Sequence, residues 1–407
     1  MRICANLHLF AVQICVMDII EKTIKARRAT KAVFLVCGLG VSSWAPMVPY
    51  AKERLQLNDA SLGLLLLLLG TGAISMMPVS GILSNRCGSR IVMLCSALVM
   101  ALTLPLLLIM DNVIWMGVVL FIFGSAVGTV DVAMNSHGVH VQNRFGKPIM
   151  SSLHGLFSVG GLLGSLGLGF LMKLGLEPIT AAVSIAVLLI IIVSWKYSSL
   201  FDQQTERAAI KDFSSHDQNS NSSSFSWLTG GVLFLGAMCF AVFLAEGSML
   251  DWSAVFLTEN RKIDEELAGV GYAAFSIAMA TMRLLGDKLV SHLDGPKVVI
   301  GGSLIAAAGI FLVILTPWLV TALLGFILLG LGAANIVPVF ISEGGRLKNV
   351  SASVSIPAIT TIGYAGQLAG PAMLGFIAHH YSLPIALGFS GFLLILVAVF
   401  YKMKPKH

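Results

Sequence analysis

Charge is scarce in this 407-residue chain. Asp, Glu, Lys and Arg make up 11% of it, less than half of the ~25% usual for a soluble domain. That leaves almost no room for an aqueous domain. A GxxxxGK[ST] phosphate loop is also missing, which argues against a built-in ATPase. The six cysteines (4, 15, 37, 87, 95 and 239) are scattered, mostly in apolar segments, with no CxxC and no Cys/His cluster. They read as small buried hydrophobes, not as a disulfide frame or a metal site. No nucleophile–base or metal constellation stands out, so neither an enzyme nor a cofactor is expected. The opening MRICANLHLFAVQICVMDII has no cleavage pattern, since its only early charge is Arg2 and no A-x-A follows. A start at Met17 would remove most of it; it reads as an over-extended start or a short amphipathic arm and is assigned no function.

What is abundant is apolar sequence. Hydrophobic residues reach 57%, in runs that repeatedly attain the roughly 20 residues a bilayer-crossing helix needs. Twelve spans are expected, at 32–50, 61–83, 91–110, 113–136, 149–172, 178–196, 227–257, 267–290, 297–315, 318–342, 351–376 and 381–401. The 41 glycines suit close helix packing within a membrane. With both termini cytoplasmic, 20 of the 26 Lys and Arg fall on the cytoplasmic side. The opposite side receives Lys52, Arg54, Lys173, Arg261 and Lys262, and Arg283 stays inside a span. This asymmetry accounts for the net charge of +6 by loop topology, and nucleic acid is not needed as a partner.

A Ser/Asn/Gln-rich stretch at 197–226, containing SSHDQNSNSSSFS, is expected to be a flexible cytoplasmic linker. It divides the chain into an N-terminal arm (1–31), a first six-span bundle (32–196) and a second (227–407). The halves echo each other at a near-constant offset. Trp44 matches Trp252, Gly63 matches Gly269, Gly81 matches Gly286, Asp131 matches Asn335 and Gly164 matches Gly370, at offsets of 204 to 208. The expected fold is therefore an all-α membrane protein of twelve helices in two pseudo-symmetric bundles, an arrangement common among secondary transporters.

Polar residues on the spans are few and regularly placed. Gly124, Gly128, Asp131 and Asn135 share one face of the fourth span, and His154, Ser158, Gly161 and Ser165 share one face of the fifth. Asp131 reads either as a proton-carrying carboxyl or as a structural acid paired with a loop arginine. His154, whose imidazole titrates near neutrality, reads equally as a proton relay or as a hydrogen-bonded structural histidine. In the tenth span Asn335, Ser342 and Arg346 align, with Pro338 expected to bend the helix. In the seventh, Glu246 and Asp251 are five residues apart, about 140° around the helix and ~7.5 Å along it. They cannot form one paired site. Intramembrane ionisable residues are functional candidates by default: Glu246 for substrate or proton, Asp251 for an outer gate. Trp44 and Trp252 suit an interfacial belt or the wall of a cavity, and Tyr364 and Gln367 suit cavity lining.

The loop GILSNRCGSR at 81–90 resembles the signature G-x-x-x-[DN]-R-x-G-[RK]-[RK] of the major facilitator superfamily. Gly81, Asn85, Arg86, Gly88 and Arg90 match, while Ser89 departs from the basic pair. The second-half counterpart RLLGDKLVSHLDGPK is degenerate but retains Arg283, Gly286 and Asp287. Within the superfamily, SSWAPMVP, VDVAMN, SSLHGLFSVGGLLG, AEGSMLDW and TTIGYAGQLAGPAMLG resemble the fucose-permease-like branch, closest to the YbjJ-type bacterial inner-membrane transporters. The resemblance implies alternating access around a central cavity, a proton-carrying acid at Asp131, and gating by Asn85, Arg86, Arg90, Asp251, Arg283 and Asp287. It implies uptake of a small polar solute such as a sugar, by a monomer, coupled to protons through Asp131, Glu246 and His154. Solute contacts would come from Trp44, Asn135, Glu246, Trp252, Asn335, Tyr364 and Gln367. Proton-coupled efflux of a metabolite or drug is the alternative. The Gly-Pro motif of drug antiporters belongs in the fifth span, where this chain has no proline.

Overall fold

The computed structural model describes residues 2–44, 47, 51, 53–57, 59–214, 229–263, 270–347 and 350–404. The linker's 215–228, Gly269 and the Asp251 side chain lie outside the described residues, and with them the expectations placed on each. The helices, in order, are α1 (Arg2–Ser42), α2 (Asp59–Cys87), α3 (Ser89–Leu106), α4 (Val113–Phe145), α5 (Met150–Lys173) and α6 (Pro178–Tyr197). They continue as α7 (Gln203–Ser214), α8 (Gly230–Arg261), α9 (Val270–Leu293), α10 (Gly295–Leu315), α11 (Leu319–Ala333), α12 (Ile336–Gly344), α13 (Ala352–His380) and α14 (Leu383–Met403). Nine of the spans are long and apolar enough to cross a membrane among the described residues, with α11 and α12 forming one of them. Together with α1, α9 and α13 they make the twelve. Large apolar side chains such as Leu166, Phe170, Leu315 and Val320 point outward, as lipid-facing positions require.

Local chemistry sets the ends of these helices. Asn112 caps α4 by accepting from the backbone N–H of Ile114 at 2.8 Å, and Gly146, at φ +72°, closes it in the left-handed conformation. The span expected to bend at Pro338 breaks at Ala334–Asn335, between α11 and α12. Proline lacks the N–H that would bond the carbonyl four residues earlier, which frees the oxygen of Ala334. Two segments differ from the sequence-based division. The N-terminal arm and the first span form one continuous helix, α1, and the first part of the linker folds as α7, with Glu206 buried beneath it.

Packing repeats between the halves as the sequence offsets predict. In the first half α1 packs on α5, α2 on α4 and α3 on α6; in the second α8 packs on α13, α9 on α11 and α10 on α14. The closest approaches repeat residue by residue. A side chain on Gly124 would strike the carbonyl of Leu69, and one on Gly330 the carbonyl of Phe275, with both residues 206 positions further on. Gly160 on Leu35 and Gly366 on Phe240 form a second such pair. The halves meet where α2 packs on α13 and α5 on α9, and these two contacts are also related by the repeat.

A second repeated device was not legible in the sequence, where Arg54 and Arg261 read as loop charges. Arg54 donates to the carbonyls of Met110 (2.8 Å) and Leu107 (2.9 Å), and also to that of Leu108, at the C-terminal end of α3. Arg261, 207 residues on, donates to the carbonyls of Val313 and Thr316 at the end of α10. Each guanidinium satisfies carbonyls that the helix leaves free and offsets the negative end of its dipole. Arg54→Ala and Arg261→Ala should each destabilise the protein by ~1–3 kcal/mol, with nearly additive effects because the clamps lie in different halves. Thermal unfolding of the two single variants and the double variant checks this; a double variant no worse than either single would contradict independent clamps.

Candidate functional site

The centre of the bundle holds a polar cluster drawn from both halves. Asn135 on α4 donates to the carbonyl of Asp131 at 2.9 Å and to its carboxylate at 3.4 Å. Its amide oxygen is then left to face His154 of α5, 3.0 Å from Nε2. An amide oxygen only accepts, so this imidazole carries its proton on Nε2. Tyr364 of α13, in the other half, lies close to the Asp131 carboxyl. Ser158 on α5 donates to the carbonyl of His154 at 3.1 Å and accepts from Arg283 Nη1 at 3.2 Å. Arg283, on α9, also pairs with Glu246 of α8 at 3.3 Å and donates from Nε to the carbonyl of Ala334 at 3.1 Å. That carbonyl is the one Pro338 leaves free, so the helix break and the buried guanidinium answer each other.

Two acceptors in this cluster have no hydrogen-bond partner among the described residues: Glu246 Oε1 and Asn335 Oδ1. Both are buried, and leaving them unsatisfied costs free energy until a donor arrives. Asn335 occupies the break between α11 and α12, held by a 3.3 Å bond from its amide to the carbonyl of Met282. Gly286 makes room for it, since a Cβ there would collide with both Asn335 and the Ser151 Cβ of α5.

Contacts between the halves are concentrated at the end of the bundle where the linker lies. Gln142 on α4 donates to the hydroxyl of Ser342 on α12, and Arg346 donates to the amide oxygen of Asn143 at 3.1 Å. Asp287 on α9 accepts from the backbone N–H of Ser152 at 3.0 Å, which caps the start of α5 from across the interface. Gly81 on α2 lies against Ser353 and Pro357 of α13 in the same way that Gly286 lies against α5. The signature glycine and its repeat partner therefore form equivalent crossings between the halves.

The sequence profile of the Major Facilitator Superfamily matches residues 32–354. The chain belongs to the major facilitator superfamily. An MFS-type transporter of Yersinia pestis is 45% identical over 379 residues, covering 93% of this chain and 96% of that protein. Membrane protein MosC of Rhizobium meliloti is 30% identical over 370 residues, covering 90% and 85%. Among solved structures, the Escherichia coli fucose:proton symporter superposes with a TM-score of 0.75 at 14% identity, over 95% of this chain and all of that one. A proton:xylose symporter gives 0.78 at 14% identity, over 95% and 96%. These likenesses establish the fold of a superfamily carrier, and the Yersinia protein and both symporters are transporters, not enzymes.

With the superfamily in view, its signature loop has an unexpected holder. Gln203 of α7 donates to the carbonyl of Arg86 at 2.7 Å, and Glu206 accepts from the backbone N–H of Ser89 at 3.1 Å. Arg90 lies over the ring of Tyr197, 4.3 Å from its centroid. Ser89, the departure from the signature, is the first residue of α3 and bonds the ring of His137 at 2.8 Å.

The predicted site residues thus separate into groups. Asp131, Asn135, His154, Glu246, Asn335 and Tyr364 come together in the central cluster, and Arg283 joins them there, away from the gating loop it was grouped with. Asp287 lies at the crossing between halves, while Asn85, Arg86 and Arg90 lie under the linker. Trp44 is buried in apolar core, and Trp252 packs against Gly375, Leu244 and Leu374 of its own half. Neither indole N–H has a hydrogen-bond partner among the described residues. Gln367 is exposed and lies beside Gly247. Gln142, Ser342, Asn143 and Glu206 were not foreseen as site residues, because each depends on a neighbour more than 60 positions away.

The ion pair at the centre gives a direct test. Glu246→Leu strands the Arg283 guanidinium and should cost ~3–5 kcal/mol, whereas Glu246→Leu combined with Arg283→Met should recover most of it. Thermal unfolding of the purified protein measures both. A double variant as unstable as the single one would show that the pairing is not what holds the two residues.

Proposed function

We propose that this carrier is a proton-coupled symporter of a small hydroxylated solute, of the sugar class, in which Asp131 carries the proton. The observation that supports this most is the different company of the two central carboxyls. Glu246 faces a guanidinium, so taking up a proton there strands a buried cation. Asp131 faces a phenol and an amide, both compatible with either protonation state. Asp131 is the carboxyl that can load and release a proton at least cost, and Glu246 is the one fixed in place. Asp131 and its neighbour Tyr364 belong to different halves, so the proton state of Asp131 bears on how the halves meet.

Solute binding follows from the same geometry. The orphaned acceptors on Glu246 and Asn335 call for hydroxyl donors, and the Glu246–Arg283 pair is neutral overall, which favours an uncharged ligand. The printed descriptions of the structural neighbours, fucose:proton and proton:xylose symporters, point the same way. The solute would enter between the bundles at 32–196 and 227–407, reach the cluster, and leave as the linker end opens. In this reading the linker end is cytoplasmic and both termini are inside, as Lys and Arg placement indicates, and the protein acts as a monomer in the bacterial inner membrane.

The test uses proteoliposomes, a panel of radiolabelled monosaccharides including fucose and xylose, and an imposed inward proton gradient. Wild-type protein should concentrate one of them. Asp131→Asn should abolish gradient-driven accumulation while leaving counterflow of the same sugar intact, since binding and rocking survive without the proton site. Unchanged accumulation and pH dependence in Asp131→Asn would remove the proton role. Extrusion of a loaded dye or metabolite, with no sugar uptake, would favour the efflux reading instead.

A further inference from the structure

The last turns of α4 are held on two faces. Residues 137, 140 and 144 face the linker side: His140 Nε2 lies 3.7 Å from Glu206, Arg144 donates to the carbonyl of Thr205 at 3.4 Å, and His137 packs on Phe201 with ring centroids 5.5 Å apart. Residues 139, 142 and 143 face the second half, where they meet Gly345, Ser342 and Arg346. The two sets interleave at helical spacing, so a single rigid rod lies between the linker helix and the closure.

Glu206 is the residue on which the linker face turns. It is 6% exposed, although the linker around it is polar. It binds α3 through the Ser89 N–H and approaches α4 through His140. The carboxylate satisfies an amide at the start of α3, where an anion is favoured. Gln203 ties the same helix to the signature loop, and Gly88, at φ +86°, brings that loop within contact of the Gln203 side chain.

We infer that Glu206 is a positioning residue for the closure between the halves: by docking α7 onto α3 and α4, it holds the end of α4 where Gln142 and Asn143 reach the second half. The linker then acts as a strut that sets how readily its end of the carrier opens, in addition to joining the bundles. The inference rests on the alternating-access reading, yet its test needs no solute, so its failure would leave the transport assays standing.

Burial pushes the Glu206 carboxyl above the usual carboxylate range, against the pull of its bonds to Ser89. A Gln side chain of the same shape keeps an oxygen that accepts from the Ser89 N–H and should replace it at little cost, while truncation should not be tolerated. Hydrogen–deuterium exchange on the full-length protein reads the difference. Glu206→Ala should speed exchange in segments 137–147 and 340–347 by about tenfold or more, as expected for loss of a buried hydrogen bond, and should leave 107–116 at the opposite end unchanged. Glu206→Gln should match wild type. Gln203→Ala, which loosens the same helix without touching the buried carboxyl, should move those segments in the same direction by less. Faster exchange confined to 200–214 and 85–90 would show α7 released with the closure undisturbed, and would overturn the inference. Acceleration in the Gln variant equal to that in the Ala variant would also overturn it.

Discussion

A guanidinium buried within a membrane-spanning bundle is tolerable only if its N–H groups are answered and its charge is balanced. Arg283 meets both conditions by drawing on three other spans. Glu246 of α8 balances the charge, Ser158 of α5 accepts across the interface between halves, and the broken span supplies the carbonyl of Ala334. Removing the break would bring a helical N–H to that carbonyl, in competition with Nε. The proline at 338, the kink at Asn335 and the ion pair are therefore parts of one solution, and the polar centre is arranged around it.

From that centre the structure extends outward by repetition. Glycine-to-carbonyl approaches hold α4 on α2 and α11 on α9 at matching positions, and arginine clamps close α3 and α10 at matching ends. The halves also differ at the centre. Asp131 in the first half has Asn335 as its repeat partner in the second, and of the two carboxyls in the central cluster Glu246 pairs with a cation while Asp131 meets the Asn135 amide. In the proposed reading, the proton state of Asp131 in one half biases how that half meets the other.

Much of this was legible in the sequence. Helix boundaries follow the apolar runs to within a few residues for most spans, and the repeat offset in the sequence is the offset of the packing contacts. The shared face of Asp131 and Asn135 was visible from helical spacing. What escaped was long-range. Arg54 and Arg261 looked like loop charges because nothing near them in sequence shows that a helix end needs a donor. Arg283 was grouped with the gating loop because it precedes Gly286, although its helix turns it towards the centre. Trp44 and Trp252 suited an interfacial belt or a cavity wall by residue type, and the structure buries Trp44 in apolar core and half-buries Trp252 against its own half. The linker read as polar chain because its Ser/Asn composition masks the short helix that carries Glu206.

The central claim is that solute movement and proton movement are one event, with Asp131 as the shared element. A pH electrode in a weakly buffered suspension of de-energised vesicles tests it most directly. Adding a transported monosaccharide, with no gradient imposed, should make the medium transiently alkaline as protons enter with the sugar, and Asp131→Asn vesicles should show no such change. Sugar entry into wild-type vesicles without alkalinisation would contradict the account.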